Sequence, residues 1–256
     1  MRRKILQFLG PLFGLALFAL ALLVLHRELQ GEGFRQIVRA MGQMPGTQIG
    51  AALGLAAVSY GVLTLYDWLG LRYVRRRLAY RRIALTSLIA YAFSHALGFP
   101  LLTGGSIRFR LYSSWGLSAV KVTNVIGFAA LTFWLGVLTV GGVVLLTAPP
   151  AVATLLHLPA AALRPLGVLA LGAVAAYLWW AVMGRRFIRF REWRFRRPTA
   201  RLAGYQVLVG SLDWMLAGSV LYALLPRSLG LGYPAFLSIF VLAYLAGIVS
   251  NIPGGL

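Results

Sequence analysis

Two arginines, Arg108 and Arg110, stand two residues apart in the segment LLTGGSIRFRLY, directly after a hydrophobic run and a glycine pair. A guanidinium group carries five hydrogen-bond donors in a planar fork, and this geometry suits two oxygens of a phosphate or a carboxylate. Within a membrane, such side chains would bind an anionic lipid headgroup. The alternative is that both side chains extend to the membrane surface and only anchor the segment.

Two aspartates lie inside hydrophobic runs and are the expected counter-ions of these arginines. Asp213 is near the middle of the run 202–225, and Asp67 is toward the end of the run 49–71. A charge at the centre of a membrane helix costs about 2.5–3.5 kcal/mol on insertion scales. Asp213 should therefore face a partner cation or water, whereas Asp67 has the alternative of an interfacial position at headgroup depth.

Glycine pairs interrupt two hydrophobic segments in similar surroundings. In AYAFSHALGFPLLTGG (90–105) the pair is Gly104 and Gly105. Paired interrupted segments are typical of a substrate site between structural repeats, and glycine lets the backbone approach a ligand or act as a hinge. The alternative is that Gly and Pro are simply common in membrane helices. The second segment, AYLAGIVSNIPGGL (243–256), contributes Ser250, Asn251, Pro253, Gly254 and Gly255 as candidate site residues.

His95 lies in the hydrophobic arm before the first glycine pair. A lone membrane histidine is more often a neutral, hydrogen-bonded residue than a proton carrier, and Tyr91, Ser94 and Asn124 are candidate partners. The three histidines are scattered, and no H-E-x-x-H, G-x-S-x-G or G-x-x-x-x-G-K-[ST] pattern occurs. We therefore predict no metal, no cofactor and no catalytic residue in this chain.

The composition indicates which elements must position these residues. Of 256 residues, 60% are hydrophobic, 12% are charged and none is cysteine. Hydrophobic runs of about 20 residues can each cross a bilayer. We predict an all-α integral membrane protein, a single polytopic helical bundle that includes glycine-broken re-entrant elements. Its seven hydrophobic segments lie near 5–25, 49–71, 83–102, 122–147, 161–183, 202–225 and 235–252.

The formal charge of +20 is concentrated in short blocks between these runs. Arg-rich residues 72–82 and 185–201 are typical of cytoplasmic loops that follow the positive-inside rule, and this interpretation is preferred to nucleic-acid binding. The basic residues 2–4 predict a cytoplasmic N-terminus. Residues 26–47 mix charges at near-helical spacing, which predicts an amphipathic segment on the outer surface.

The positive-inside rule conflicts with a topology in which each of the seven hydrophobic runs crosses the membrane once. In that case the block 185–201, with eight arginines against Glu192, would face the outside. The conflict disappears if residues 83–121 form a re-entrant hairpin that turns near 100–105. Broken backbone at membrane depth is tolerated only where it is buried in protein or lines a water-filled cavity. The alternative is that these residues span once and another segment is the partial one.

Four segments in order resemble the multiple peptide resistance factor family, also called the lysylphosphatidylglycerol synthase and flippase family. Arg108 and Arg110 match the arginines of its R-Y-R motif, although Phe109 stands where tyrosine is common. The resemblance runs from about residue 50 to the end of the chain. The segments are LYDWLGLRYV (65–74), LTGGSIRFRLYSSWGLS (102–118), LDWMLAGSVLYALLP (212–226) and AGIVSNIPGG (246–255).

The resemblance implies a multi-pass protein of the bacterial inner membrane that is a flippase. It would move lysyl- or alanyl-phosphatidylglycerol to the outer leaflet and so confer resistance to cationic antimicrobial peptides. The implied partners are an anionic or aminoacylated phospholipid and the membrane. The expected lipid-binding residues are Arg108, Arg110, Gly104, Gly105, Tyr112, Asp67, Asp213, His95, Ser250, Asn251, Pro253, Gly254 and Gly255.

In full-length members of that family, a separate cytoplasmic domain makes the aminoacylated lipid. The family's P-G-G motif runs on into further helices, whereas this sequence stops at Leu256, so we expect a truncated chain without the enzyme domain. Two other functions stay open. The chain could be the anchor that presents lipid to a linked phosphatidylglycerol aminoacyltransferase domain, or it could be a small-solute secondary transporter. A homo-oligomer also stays open.

Overall fold

The computed structural model describes residue 42 and residues 44–97, 103–147, 160–184, 187–190, 193–226 and 230–250. Within these ranges the chain forms seven helices and one short hairpin of two strands. In chain order they are α1 (Gly46–Tyr73), α2 (Tyr80–Leu97), α3 (Thr103–Ser114), α4 (Ala119–Thr147), α5 (Ala160–Met183), β1 (Phe187–Phe190), β2 (Trp193–Arg196), α6 (Ala200–Leu224) and α7 (Tyr233–Ser250).

The prediction of a helical, multi-pass membrane protein is confirmed. Six of the seven predicted hydrophobic runs coincide with helices, and the run 5–25 lies outside the described residues, as does most of the segment 26–47. Helices α1, α4, α5 and α6 are long and apolar enough to cross a bilayer. Helix α3, which carries Arg108 and Arg110, is an additional short helix that begins at Thr103. The prediction of broken backbone at Gly104 and Gly105 is therefore wrong, because both glycines lie inside this helix, and the rest of the predicted turn lies outside the described residues.

The Arg-rich block 185–201 contains a β-hairpin rather than only a loop. Strands β1 and β2 pair antiparallel, with Phe187 opposite Arg196 and Phe190 opposite Trp193. Aromatic residues alternate with arginine in WRFR, and FIRF is rich in aromatic and β-branched residues; both features favour strands. Arg197 then donates from Nη1 to the carbonyls of Val182 and Gly184, at 2.9 and 2.7 Å, which holds the hairpin's exit close to the end of α5.

Two glycines allow the closest approach between long helices. A Cβ atom on Gly136 of α4 would lie 2.4 Å from the backbone of Gly210 in α6, and a Cβ on Gly210 would lie 2.4 Å from the carbonyl oxygen of Thr132. Small residues at such crossings let membrane helices pack backbone to backbone. Beside this crossing, Gln206 Nε2 donates to Thr132 Oγ1 at 3.0 Å, so α4 and α6 are also joined by a buried polar contact.

The contacts fix the directions of the four long helices. Gln48 at the start of α1 donates to the carbonyl of Leu225 just after α6, so α1 and α6 are antiparallel. The pairs 132 with 206 and 136 with 210 make α4 and α6 parallel, and the contacts of 142 with 171 and 146 with 167 make α4 and α5 antiparallel. Consequently, the Arg-rich segments that follow α1 and α5 lie at the same end of the bundle.

Helices α2 and α3 form an antiparallel pair against α1. The Ser87 hydroxyl donates to the carbonyl of Leu63, and His95 near the end of α2 lies beside Tyr60, near the middle of α1. Helix α3 then returns, since Gly104 packs on α2 near its end and Tyr112 belongs to the same core cluster as Ile83 near its start. The described parts of α2 and α3 therefore run antiparallel to each other beside the second half of α1.

Candidate functional site

A buried ion pair joins α1 to α3. Arg108 Nε donates to both carboxylate oxygens of Asp67, at 2.8 and 3.1 Å, and the Tyr112 hydroxyl donates to Oδ2 at 2.9 Å. Asp67 has no exposed surface and Arg108 is 5% exposed. The structure therefore buries Asp67 between α1 and α3, where Arg108 compensates its charge and Tyr112 donates a further hydrogen bond from the same face of α3.

The rest of the Arg108 guanidinium points away from Asp67. Its Cζ atom lies 4.4 Å from the centre of the Tyr91 ring, a cation–π contact that α2 contributes. Nη2 is buried and has no hydrogen-bond partner among the described residues. Leaving a buried charged donor unpaired costs about 1–3 kcal/mol or more, so this edge of the guanidinium favours an acceptor that the described residues do not supply.

Because Gly104 has no side chain, there is room beside it for the Arg108 guanidinium and for α2. A Cβ atom at this position would lie 2.3 Å from Ser94 Oγ, 3.0 Å from Arg108 Nη1 and 3.1 Å from the carbonyl oxygen of Ala90. Any larger residue would push α3 away from α2 or displace the arginine. The first glycine of the pair is thus explained by close packing within the helical part of α3.

We expect Gly104→Ala to destabilise the protein by about 1–3 kcal/mol, because the added methyl overpacks the α2–α3 contact. Gly127→Ala in α4 is the matched control, since a Cβ there meets nothing within 4 Å. That control should be neutral or slightly stabilising, by up to about 1 kcal/mol. Unfolding in mixed detergent micelles measures both changes, and equal stability of the two variants would contradict the packing argument.

The second carboxylate, Asp213, occupies a different environment. It lies near the middle of α6, is 9% exposed, and accepts a hydrogen bond from the Tyr66 hydroxyl at 2.8 Å. Among the described residues no cation lies within ion-pairing distance of it, because the salt bridge found there joins Arg108 to Asp67. An uncompensated carboxylate at this depth carries the cost of about 2.5–3.5 kcal/mol quoted for a membrane charge.

Two tyrosines connect the ion pair to Asp213. The rings of Tyr66 and Tyr91 meet edge to face, with centroids 6.1 Å apart. Arg108 stacks on Tyr91, and Tyr66 binds Asp213, so two aromatic rings in contact connect the guanidinium with the lone carboxylate. A positive and a negative group in one such cluster are suited to a dipolar ligand. Neither tyrosine was predicted as a site residue, although a buried phenol needs a hydrogen-bond partner and this requirement is a usable signal.

The remaining predicted site residues do not converge on the ion pair. Arg110 is exposed, on a different face of α3 from Arg108, and Gly105 is buried with Ile126 as its nearest neighbour. The His95 ring nitrogen lies 3.4 Å from the Tyr60 hydroxyl. Ser250 is the last residue of α7, and four predicted residues lie outside the described part of the chain: Asn251, Pro253, Gly254 and Gly255. No three metal-ligating side chains come together within the described ranges.

Comparison with known proteins extends over almost the whole chain. The chain is 34% identical over 256 residues to the uncharacterized protein slr0712 of Synechocystis sp., and the match covers 99% of this chain and 79% of that protein. It is 29% identical over 255 residues to the inner membrane protein YbhN of Escherichia coli K12, of which it covers 77%. No protein-family model matches the chain.

More distant relatives confirm the resemblance inferred from the sequence motifs. The phosphatidylglycerol lysyltransferase of Staphylococcus xylosus is 23% identical over 266 residues, which span all of this chain and 29% of the transferase. The corresponding enzyme of Staphylococcus aureus MRSA252 is 24% identical and is again covered to 29%. The chain therefore belongs to the family of multi-pass membrane proteins that includes slr0712, YbhN and the N-terminal membrane region of the phosphatidylglycerol lysyltransferases.

Proposed function

We propose that this protein is a phospholipid flippase that moves aminoacylated phosphatidylglycerol from the inner to the outer leaflet. The observation that carries the proposal is the Arg108 guanidinium, which is buried between membrane helices and presents an unpartnered Nη2 donor among the described residues. A fixed guanidinium with free donors is the group best suited to a lipid phosphate.

Asp67 has a positioning role in this mechanism. Its carboxylate occupies Nε of Arg108 and compensates the positive charge, so the guanidinium can stay buried without a ligand. Tyr112 fixes the carboxylate from the same face of α3, since residues four apart lie above one another on a helix. A lipid phosphate can then bind Nη2 of Arg108 without displacing Asp67 from Nε.

Asp213 gives the site its preference for an aminoacylated lipid. A lysyl or alanyl ester carries at least one ammonium group in addition to the phosphate, and the uncompensated Asp213 carboxylate attracts that group. The contacts from Arg108 through Tyr91 and Tyr66 to Asp213 support this proposal, because they bring a phosphate-binding group and an ammonium-binding group into one cluster.

The α2–α3 pair is proposed to be the re-entrant hairpin that opens this site to lipid. Helix α3 has 12 residues, which corresponds to about 18 Å and is too short for a hydrocarbon core of about 30 Å. His95, near the described end of α2, lies beside Tyr60 near the middle of α1. A hairpin that ends at mid-depth brings polar backbone groups to the depth that a headgroup must cross.

The orientation follows from the Arg-rich segments, which lie at one end of the bundle. We propose that this end faces the cytoplasm, that the N-terminus is cytoplasmic and that the protein resides in the inner membrane, as YbhN does. Transfer of the lipid would make the outer surface less negative and so reduce its attraction for cationic antimicrobial peptides.

The relatives favour a function that resides in the membrane region itself. The chain spans 79% of slr0712 and 77% of YbhN, so most of each of these proteins corresponds to the region described above. In the phosphatidylglycerol lysyltransferases it spans only 29%. Presentation of lipid to a transferase domain is therefore the second candidate, and it predicts no lipid movement by the membrane region alone.

Reconstitution of the full chain tests the proposal. Vesicles containing lysyl-phosphatidylglycerol are labelled with a membrane-impermeant amine reagent before and after a chase, with and without the protein. We expect protein-containing vesicles to expose inner-leaflet lysyl lipid during the chase, whereas protein-free vesicles should expose only the half already outside. Equal labelling in the two preparations would contradict flippase activity.

A further inference from the structure

The two buried carboxylates differ in how their charge is compensated. Asp67 is paired with Arg108, but Asp213 has a phenol as its partner among the described residues. Tyr66 donates to Oδ2 of Asp213, so Oδ1 is the oxygen available to another donor. An ionised Asp213 therefore needs one positive charge from outside this group of residues.

The groups that surround Asp213 do not supply that charge. Tyr66 from α1, Tyr91 from α2 and Tyr244 from α7 are the titratable side chains within electrostatic range of the carboxylate in the described part of the chain. Helix α4 contributes Phe133 against the neighbouring Trp214. Neutral phenols can donate a hydrogen bond to the carboxylate but cannot neutralise it.

We propose that Asp213 binds a proton and the lipid's ammonium group alternately, so that export of one aminoacylated lipid is coupled to the entry of one proton. This inference rests on the proposed flippase function and identifies its energy source. A single carboxylate cannot hold both cations, because the second would have no counter-charge at this depth. Competition between the two occupants makes the process an exchange.

The cycle balances without any other reactant. On the inner side, the ammonium group displaces the proton of the Asp213 carboxyl, and that proton passes to cytoplasmic water. On the outer side, a proton from external water binds Oδ1, the carboxylate becomes neutral, and the lipid leaves. The protonated carboxyl returns with its hydrogen bond to Tyr66 intact, since a neutral acid still accepts at its carbonyl oxygen.

The test uses the full chain in vesicles with lysyl-phosphatidylglycerol, a proton-sensitive dye inside and an imposed pH difference. One proton exchanged for one lipid predicts a change of about tenfold in the transmembrane lipid ratio per pH unit, with lipid accumulating on the acidic side. A protonophore should abolish this accumulation. Transport of lysyl lipid at equal pH should also move protons in the opposite direction.

Two variants separate coupling from folding. Asp213→Asn keeps the shape and an acceptor for Tyr66 but cannot bind a proton, so it should lose the gradient-driven accumulation of lysyl lipid and the proton movement that accompanies it. Asp213→Glu should retain the gradient response, because its side chain is still titratable.

The outcomes distinguish this inference from the function on which it rests. Lipid movement by the wild type that ignores the pH gradient would overturn proton exchange and leave the flippase proposal standing. A gradient response that survives in Asp213→Asn would also overturn it. Absence of any lipid movement by the wild type would overturn both.

Discussion

Replacement of Arg108 by alanine is expected to reduce outer-leaflet exposure of lysyl-phosphatidylglycerol by at least about tenfold. A charge-assisted hydrogen bond contributes about 1.5–3 kcal/mol, and about 1.4 kcal/mol corresponds to a factor of ten. Cells that contain only the cytoplasmic domain of a phosphatidylglycerol lysyltransferase as the source of the lipid, without that enzyme's own membrane region, provide the assay. Surface lipid is labelled with an impermeant amine reagent, and total lysyl lipid, which should not fall, is measured after extraction.

Arg81→Ala is the matched control for this prediction. Arg81 is an exposed arginine in the first turn of α2, and the same substitution there removes one positive charge without touching the buried site. We expect surface labelling close to that of the wild type. Equal labelling in Arg108→Ala and Arg81→Ala would remove the guanidinium of Arg108 from the mechanism.

Replacement of Asp67 by alanine is expected to be the most destabilising single change, at about 3–5 kcal/mol. It leaves the guanidinium of Arg108 buried without its counter-ion and the Tyr112 hydroxyl without its acceptor. Reversible unfolding of the purified protein in mixed micelles measures the loss. A change below about 1 kcal/mol would show that the ion pair is not buried as described.

A double variant separates the stability of this pair from its function. Asp67→Leu combined with Arg108→Met replaces both charges by apolar groups, which is often neutral or stabilising for a buried pair. We expect this variant to regain most of the stability lost in Asp67→Ala and to move no lipid. Lipid movement at the wild-type rate in the double variant would mean that the pair has only a structural role.

The helical architecture could be predicted because it depends on local composition. Long apolar runs specify membrane helices wherever they occur, and six of the seven predicted runs are helices in the described part of the chain. The hairpin in 187–196 was missed, because the arginines of this block were interpreted only as a topology signal. The alternation of aromatic residues with arginine in 193–196 was the period that favoured a strand.

The pairing of charges could be predicted only as a set of alternatives. Either arginine was a candidate for either aspartate, but in a helix residues two apart face nearly opposite sides, so Arg108 and Arg110 cannot both face α1. Residues four apart share a face, and this explains why Tyr112 joins Arg108 at Asp67. If residues 103–114 had been predicted as a helix, this spacing would have paired Arg108 with Tyr112 as the two residues that face the same carboxylate.

The choice between the aspartates depends on tertiary geometry that local patterns do not contain. Asp67 and its neighbour Tyr66 point in directions about 100° apart around α1. Asp67 therefore meets α3, whereas Tyr66 meets Asp213 in α6. This arrangement follows from how α1 packs between the α2–α3 pair and α6. The contact of Asp67 with Arg108 spans 41 positions in sequence, and that of Tyr66 with Asp213 spans 147 positions.

Retention of phospholipid by the purified protein tests most directly whether Arg108 binds a lipid phosphate inside the membrane. Native mass spectrometry counts the phosphatidylglycerol molecules that remain bound as detergent and collision energy are raised. We predict that the wild type and Arg81→Ala retain lipid at conditions under which the folded Asp67→Leu, Arg108→Met double variant has lost it, with at least about tenfold weaker binding in the double variant. Equal retention by all three proteins would contradict the proposed role of the buried guanidinium.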